Sequence, residues 1–275
     1  MRLGLFEDSD DEVVVERYTG NAVGFKEYVD NIYLQHRSDE DNFIPDPNYM
    51  GEKQPHLKPE YRFTIVEWIT NIVYNMQRQV SAGLDNANNF STDTLYLAVY
   101  LIDRFLSKTP NLRGDKFQLV GITCLLIASK YEDIFSIKLD DVFKVSYKAY
   151  SKKEIKAMEI AILESLNYNI THAYSNTFVD YFAIKLFFTN DMKNLASAYT
   201  EMALFDYELI GYKPSLIAAA ATYMALEEKS NISNDFEAIV GHQLSEILPV
   251  VSHMRVFNIN HEHLMNKIKA QITFR

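Results

Sequence analysis

From residue 61 onward, apolar and polar positions recur at the period of helices. Ile65, Trp68, Ile69, Ile72, Val73 and Met76 follow the i, i+3, i+4, i+7 pattern of a helix with one buried face. Ser91-Thr92-Asp93 offers an N-cap to a second helix running to Ser107, which Pro110 stops. The third differs in kind. Between Leu119 and Ala128 the chain is apolar or small on every side, with Val120, Ile122, Cys124, Leu125, Leu126 and Ile127 facing all directions. A helix without a polar face belongs inside a domain, and this stretch is too short to span a bilayer. Gly121 and Ala128 leave low places where neighbouring helices can approach. Lys130, Tyr131, Glu132 and Asp133 follow at once, so a buried element surfaces into charge beside an aromatic. That is where a site is expected. A short piece over residues 140–145 leads to a fifth helix, opened by Ser151 with Glu154 in capping-box spacing and carried by Ile155, Met158, Ile162 and Leu166.

The order then repeats. Phe178, Tyr181, Phe182 and Leu186 mark one helix, Met192 to Tyr207 a second, and Pro214 opens a third that is again apolar all round but rich in alanine. Ser233 and Gln243 open two more, and His261 to Gln271 closes the chain. The apolar helix is third of five in both halves, which predicts two all-α units built alike. Upstream, Phe25, Tyr28, Val29, Ile32 and Tyr33 mark an extra helix, set apart by a loop through Pro45, Pro47, Pro55 and Pro59. Such a helix must lie against something: its own domain by default, another protein as the sharper alternative. Alternation at period two is almost absent, so a sheet is excluded. The small numbers of glycine (9) and proline (7) agree with long helices.

Charge narrows the function. The net charge of −10 is concentrated at the front, where residues 1–60 hold 14 acids against 6 bases. This leaves no electrostatic footprint for nucleic acid or an anionic membrane. The run Glu7 to Glu12 reads as a solvated tail over residues 1–22, with Ser9 a weak phosphorylation candidate. A single cysteine, Cys124, lies in the apolar helix, which excludes disulfides and fits a reducing compartment. With no signal peptide and no transmembrane run, a soluble intracellular protein is expected, and the sequons at Asn89, Asn169 and Asn231 carry no meaning.

The chemistry of an enzyme is missing. There is no glycine-rich phosphate loop and no nucleophile elbow. No histidine pairs with cysteine or carboxylate at metal-ligand spacing, and His261 and His263 point apart on a helix. No catalytic residue, metal site or cofactor is expected. A binding or regulatory module remains.

The segments YRFTIVEWI, YLIDRFL, LRGDKFQLVGITCLLIASKYEDI and YSKKEIKAMEIAILESLNYNI, in this order and spacing, resemble the cyclin box. YELIGYKPSLIAAAATYMAL is similar to the third helix of the C-terminal cyclin fold. The leading EYVDNIY with YMGEKQP is similar to the first helix and loop of A- and B-type mitotic cyclins. The resemblance implies an all-α fold of two tandem five-helix cyclin boxes with an extra N-terminal helix. Its boundaries would be residues 23–60 for helix and linker, 61–169 for the first box and 170–275 for the second. It implies a regulatory subunit, in nucleus and cytoplasm, that binds and activates a cyclin-dependent protein kinase without doing chemistry. Arg62 and Asp103 fall where the family has a buried ion pair, and Leu119 on its apolar third helix. Taken alone, Lys130 and Glu159 read as a surface salt bridge; the resemblance assigns them to the grip on the kinase. It adds Tyr131, Leu163 and Tyr168 as anchors of that interface, and Tyr28 and Ile32 as a second contact. Two alternatives keep the fold: a transcription-type cyclin, and a general transcription factor that clamps promoter DNA. The second needs a basic face, which this charge opposes.

One patch departs from the family. Cyclins capture Arg-x-Leu motifs of substrates and inhibitors on helix one and a glutamine of helix three. Here Ile65, Trp68 and Gln118 are kept, but Tyr61, Thr64 and Asn71 stand where the family has Met, Ile and Glu. Losing the carboxylate removes the partner of the motif's arginine, so weak docking or a different motif is expected. Arg2 to Leu5 fits an Arg-x-x-Leu destruction signal, but Asp10 replaces the asparagine of the fuller pattern.

Overall fold

A computed structural model describes residues 22–81, 90–171, 173–229 and 232–274. The acidic run with Ser9, the Arg2–Leu5 segment, and Asn89 and Asn231 lie outside the described residues. Thirteen α-helices are described: α1 Ala22–Asp39, α2 Tyr49–Glu52, α3 Pro59–Ser81, α4 Thr92–Lys108, α5 Phe117–Glu132, α6 Leu139–Val145, α7 Lys152–Ser165, α8 Ser175–Lys185, α9 Asn190–Ala203, α10 Pro214–Lys229, α11 Phe236–Val240, α12 Leu244–Asn260 and α13 Glu262–Phe274. No β-strand occurs among the described residues. The apolar helices α5 and α10 are each third in their half, as the pattern predicts. The helix expected to reach Tyr207 ends instead at Ala203, and Tyr207–Leu209 forms a 3-10 turn capped by the Asp206 side chain.

The chain divides into two compact units. One comprises residues 39–174 and 201–214; the other holds the described residues up to 38, 175–200 and 215 onward. In the first, α5 is buried from Leu119 to Ser129. It packs most extensively on α4, which is itself buried from Thr94 to Ser107. Ser91 Oγ caps α4 by accepting from Asp93 N at 3.2 Å. Gly121 is where α3 meets α5: a Cβ there would come within 2.8 Å of Ile65 Cγ2 and 3.3 Å of Ile69 Cδ1. α7 opens with the predicted capping box, Ser151 Oγ accepting from Glu154 N while the Glu154 carboxylate accepts from Ser151 N at 2.9 Å.

In the second unit, Phe178, Phe182, Phe236, Val251 and Ile268 are buried, as are Ala218, Ala219, Ala220 and Ala221 of α10, and Tyr223 of α10 lies edge-on to Phe236. α1 belongs to this unit. Its Tyr33 ring stacks on Tyr181 at 4.0 Å and 8°, edge-on to Phe178 and Phe182. Asp30 accepts from Tyr181 Oη at 3.1 Å and pairs with Lys185. At its C-terminal end, Arg37 donates to Gly241 O (3.1 Å), to Ser215 Oγ and to His242 Nε2 (2.8 Å). A guanidinium can only donate, so Nε2 accepts and the imidazole proton sits on Nδ1. Gly241 has φ +67°, and a Cβ there would meet Tyr33 Oη at 2.8 Å, so both backbone and contact require glycine. The extra helix thus finds its partner in its own chain.

Candidate functional site

Where α5 surfaces, four consecutive residues are tied to three other segments: α7, the connection from α7 to α8, and the start of α4. Lys130 Nζ donates to Glu159 Oε1 of α7 at 2.5 Å. Tyr131 Oη lies 2.8 Å from Thr171 Oγ1. Glu132 accepts from Tyr174 Oη at 2.6 Å, and Asp133 accepts from Ser91 N and Thr94 Oγ1, both at 2.8 Å. Burial, reinforced by the Glu132 carboxylate, raises the Tyr174 hydroxyl far above its ordinary pKa, so it stays a donor. Glu132 and Asp133 are therefore structural, fastening the end of α5. Lys130 and Tyr131 face outward, with the Lys130 side chain 47% exposed and that of Glu159 17%. A pair this open adds little stability, about 0–1 kcal/mol. Its value lies in holding two hydrogen-bonding groups ready at the surface.

The end of α7 supplies a second exposed aromatic. After Leu166 the chain turns through Asn167 (φ +51°) and Tyr168 (φ +58°), with Tyr168 N donating to Leu163 O at 2.8 Å. Left-handed backbone is costly for a bulky aromatic. Here it holds the Tyr168 ring in solvent, 65% exposed, beside a half-buried Leu163.

Arg62 and Asp103 form the buried pair that the sequence predicts. Arg62 Nε and NH2 donate to the two Asp103 oxygens, each at 2.8 Å, and both residues are at most 3% exposed. Tyr49 Oη adds a third donor to Asp103 at 2.9 Å, and Arg62 NH1 donates to Leu204 O at 2.9 Å. Burial alone would lower the Arg62 pKa, but the Asp103 charge and its hydrogen bonds outweigh it, and the net shift is upward. The pair fixes α3 on α4, and through Gly121 α3 is held against α5.

On α3, Tyr61 and Thr64 are exposed, and Ile65, Trp68 and Asn71 are partly so. Gln118 lies at the start of α5, its Oε1 3.5 Å from Tyr150 Oη. All six predicted patch residues thus have some open surface in one unit. Thr64 Oγ1 donates back to Glu60 O at 2.9 Å.

A family model for the cyclin N-terminal domain matches residues 31–171, and one for the cyclin C-terminal domain matches residues 173–272. This chain belongs to the cyclin family. Cyclin-B1-5 of Oryza sativa subsp. japonica is 34% identical over 205 residues, which is 74% of this chain and 42% of the relative. Cyclin-A1 of Xenopus laevis is 32% identical over 240 residues, 86% of this chain and 54% of the relative. The chain spans about half the length of the curated relatives it matches. A solved structure, the yeast RNA Pol II CTD kinase CTDK-1 complex, holds a chain of the same fold: TM-score 0.58 at 18% identity, covering 84% of this cyclin and 73% of that chain.

Within this cyclin, the structure adds residues that the sequence reading passed over. Ile134 is 94% and Phe135 62% exposed immediately after α5, and Ile160 is open on α7. Ile160 could have been found, because it lies off the Ile155–Ile162–Leu166 stripe and so had to face outward. Ile134 and Phe135 carry a weaker signal, two apolar residues following a charged run. The remaining predicted contacts, Tyr28 and Ile32, lie four apart on α1 and are exposed, while Tyr33 on the same helix is packed. Among the described residues, no group of three metal-ligating side chains comes together, and no helix is long and apolar enough to cross a membrane.

Proposed function

We propose that this cyclin is the regulatory subunit of a cyclin-dependent protein kinase and acts in cell-cycle progression. The observation that carries the reading is the Lys130–Glu159 pair joining α5 to α7 with its lysine exposed, together with the exposed rings of Tyr131 at the end of α5 and Tyr168 after the end of α7. Hydrogen-bonding charge next to aromatic anchors is the composition of an interface hot spot. Leu163, Ile134, Phe135 and Ile160 extend the apolar part, and Tyr28 and Ile32 offer a separate contact. The A- and B-type identity of the relatives supports the mitotic assignment. The surface of α5 and α7 would dock on the kinase's movable C helix. Docking would turn the kinase glutamate towards the lysine that orients ATP phosphates and draw the activation loop off the substrate site. The cyclin does no chemistry in this scheme. It binds the active kinase conformation better than the inactive one, and the population shifts accordingly.

The test is a reconstituted assay with a monomeric cyclin-dependent kinase and histone substrate. The full chain activates, and Lys130→Ala with Glu159→Ala abolishes activation and co-elution while the chain stays folded. No activation and no co-elution with any such kinase overturns the reading.

Substrate capture would fall to the separate patch on α3. With Asn71 in place of a carboxylate and Thr64 reducing the apolar area, an Arg-x-Leu peptide is held weakly. Ordinary cyclin affinity for such a peptide, measured by fluorescence polarisation, would refute this.

A further inference from the structure

Between α5 and α6 the chain makes a short corner, and one buried residue holds both of its ends. Ser129, in the last turn of α5, has 0% of its surface exposed. Its carbonyl accepts from Asp133 N at 3.1 Å, and its Oγ accepts from Ile137 N at 2.9 Å. Ile137 is itself only 2% exposed, so its N–H needs an acceptor inside the protein, and Ser129 Oγ is that acceptor. Asp133 is fastened a second time, through its carboxylate, to the start of α4.

What lies between these anchors is apolar and turned outward. Ile134 is 94% and Phe135 62% exposed. Single exposed apolar residues are ordinary on a protein surface. Here two stand side by side, on a stretch over residues 134–136 whose ends are both clamped, so they have little freedom to fold back onto the protein. The corner leaves the same turn of α5 that bears Lys130, paired with Glu159, and the exposed Tyr131. It therefore continues the surface formed there.

We propose that Ser129 is a positioning residue of the kinase interface: it holds Ile134 and Phe135 in the conformation that enters an apolar hollow on the cyclin-dependent kinase. The inference rests on the kinase reading above. Its physical content is preorganisation. A free loop spends only part of its time in the competent conformation, and its apparent affinity falls by that fraction. A clamped loop has met the ordering cost during folding. Ser129 is buried, so it touches the kinase nowhere and acts only through residues 134–137.

The test is binding of a monomeric cyclin-dependent kinase to the full chain, measured by biolayer interferometry in a double-mutant cycle. Ile134→Ser with Phe135→Ser, both at exposed positions, is expected to weaken binding about tenfold. Ser129→Ala is expected to weaken it about three- to tenfold in the otherwise unchanged chain, and to have no further effect once Ile134 and Phe135 are replaced. A merely structural role gives the same loss in both backgrounds, so that result overturns the proposal. Full affinity without Ile134 and Phe135 overturns it as well. Hydrogen exchange of the unchanged chain needs no variant: the Ile137 amide should be protected like the interior of α5, and rapid exchange there also overturns the proposal. If the unchanged chain binds no such kinase, the kinase reading falls together with it. Where the unchanged chain does bind, the other adverse results remove this proposal alone.

Discussion

Arg62 keeps its charge at 1% exposure because every direction around its guanidinium is occupied: two oxygens of Asp103 and the carbonyl of Leu204. Removing the carboxylate would leave a buried cation without compensation. Asp103→Ala is therefore expected to destabilise the first unit by about 3–5 kcal/mol. Replacing both partners, Arg62→Met with Asp103→Leu, leaves no uncompensated charge and should cost less than the single change, although Tyr49 Oη and Leu204 O lose their partners and keep the recovery partial. Urea unfolding followed through Trp68, the single tryptophan, measures both. Equal losses in the single and the double variant would mean that packing, rather than charge, holds this point. The ion pair was legible in the sequence from its position in the family pattern. Tyr49 and Leu204 were not, because residues 54 and 142 positions away from their partners leave no mark on local periodicity.

At the scale of the element, α7 carries Glu159, Ile160 and Leu163 to the surface and depends on how it begins. Lys152 and Lys153 stand in its first turn, where the helix dipole disfavours cations. Glu154 offsets them. Its carboxylate is lowered from 4.5 to about 2 by the Ser151 backbone hydrogen bond first, then by the Lys116 and Ser151 side chains. A carboxylate depressed on folding contributes stability above its unfolded value and loses it as pH falls through its folded value. The contribution of Glu154 is thus complete above about pH 4.5 and disappears towards about pH 2. The Glu154→Gln chain should show a flatter stability-against-pH curve across that window in urea titrations, and an unchanged slope would remove Glu154 from the account. Ser151→Ala, tested at neutral pH, should cost about 1 kcal/mol. This start was legible from the Ser-x-x-Glu spacing. The other end was not, since Asn167 and Tyr168 adopt left-handed backbone without a glycine to announce it.

For the whole molecule, the two units are not consecutive stretches of chain. Residues 201–214, which follow most of the second unit's α8 and α9, group with the first unit. Their contribution there is large. Glu201 accepts from buried Tyr74, Leu204 O from Arg62, Phe205 packs on Phe63 at 5.5 Å, and Tyr207 lies edge-on to Tyr49 at 5.3 Å while accepting from Met50 N. Helical periodicity showed that each helix has a buried face and that the order of helices repeats. It could not show against which segment each face closes, because those contacts join residues more than a hundred positions apart. A cyclin box cut from this chain at its apparent boundary is therefore incomplete. A fragment of residues 39–174 should unfold at lower urea than the same unit within the full chain, with Trp68 reporting both. Loss of Phe205 alone sets the difference at about 3 kcal/mol or more, and the hydrogen bonds from Arg62 to Leu204 O and from Tyr74 to Glu201 are lost with it. If the fragment matched the full chain in midpoint and slope, residues 201–214 would be a passive connection, and the first unit would complete its core without them.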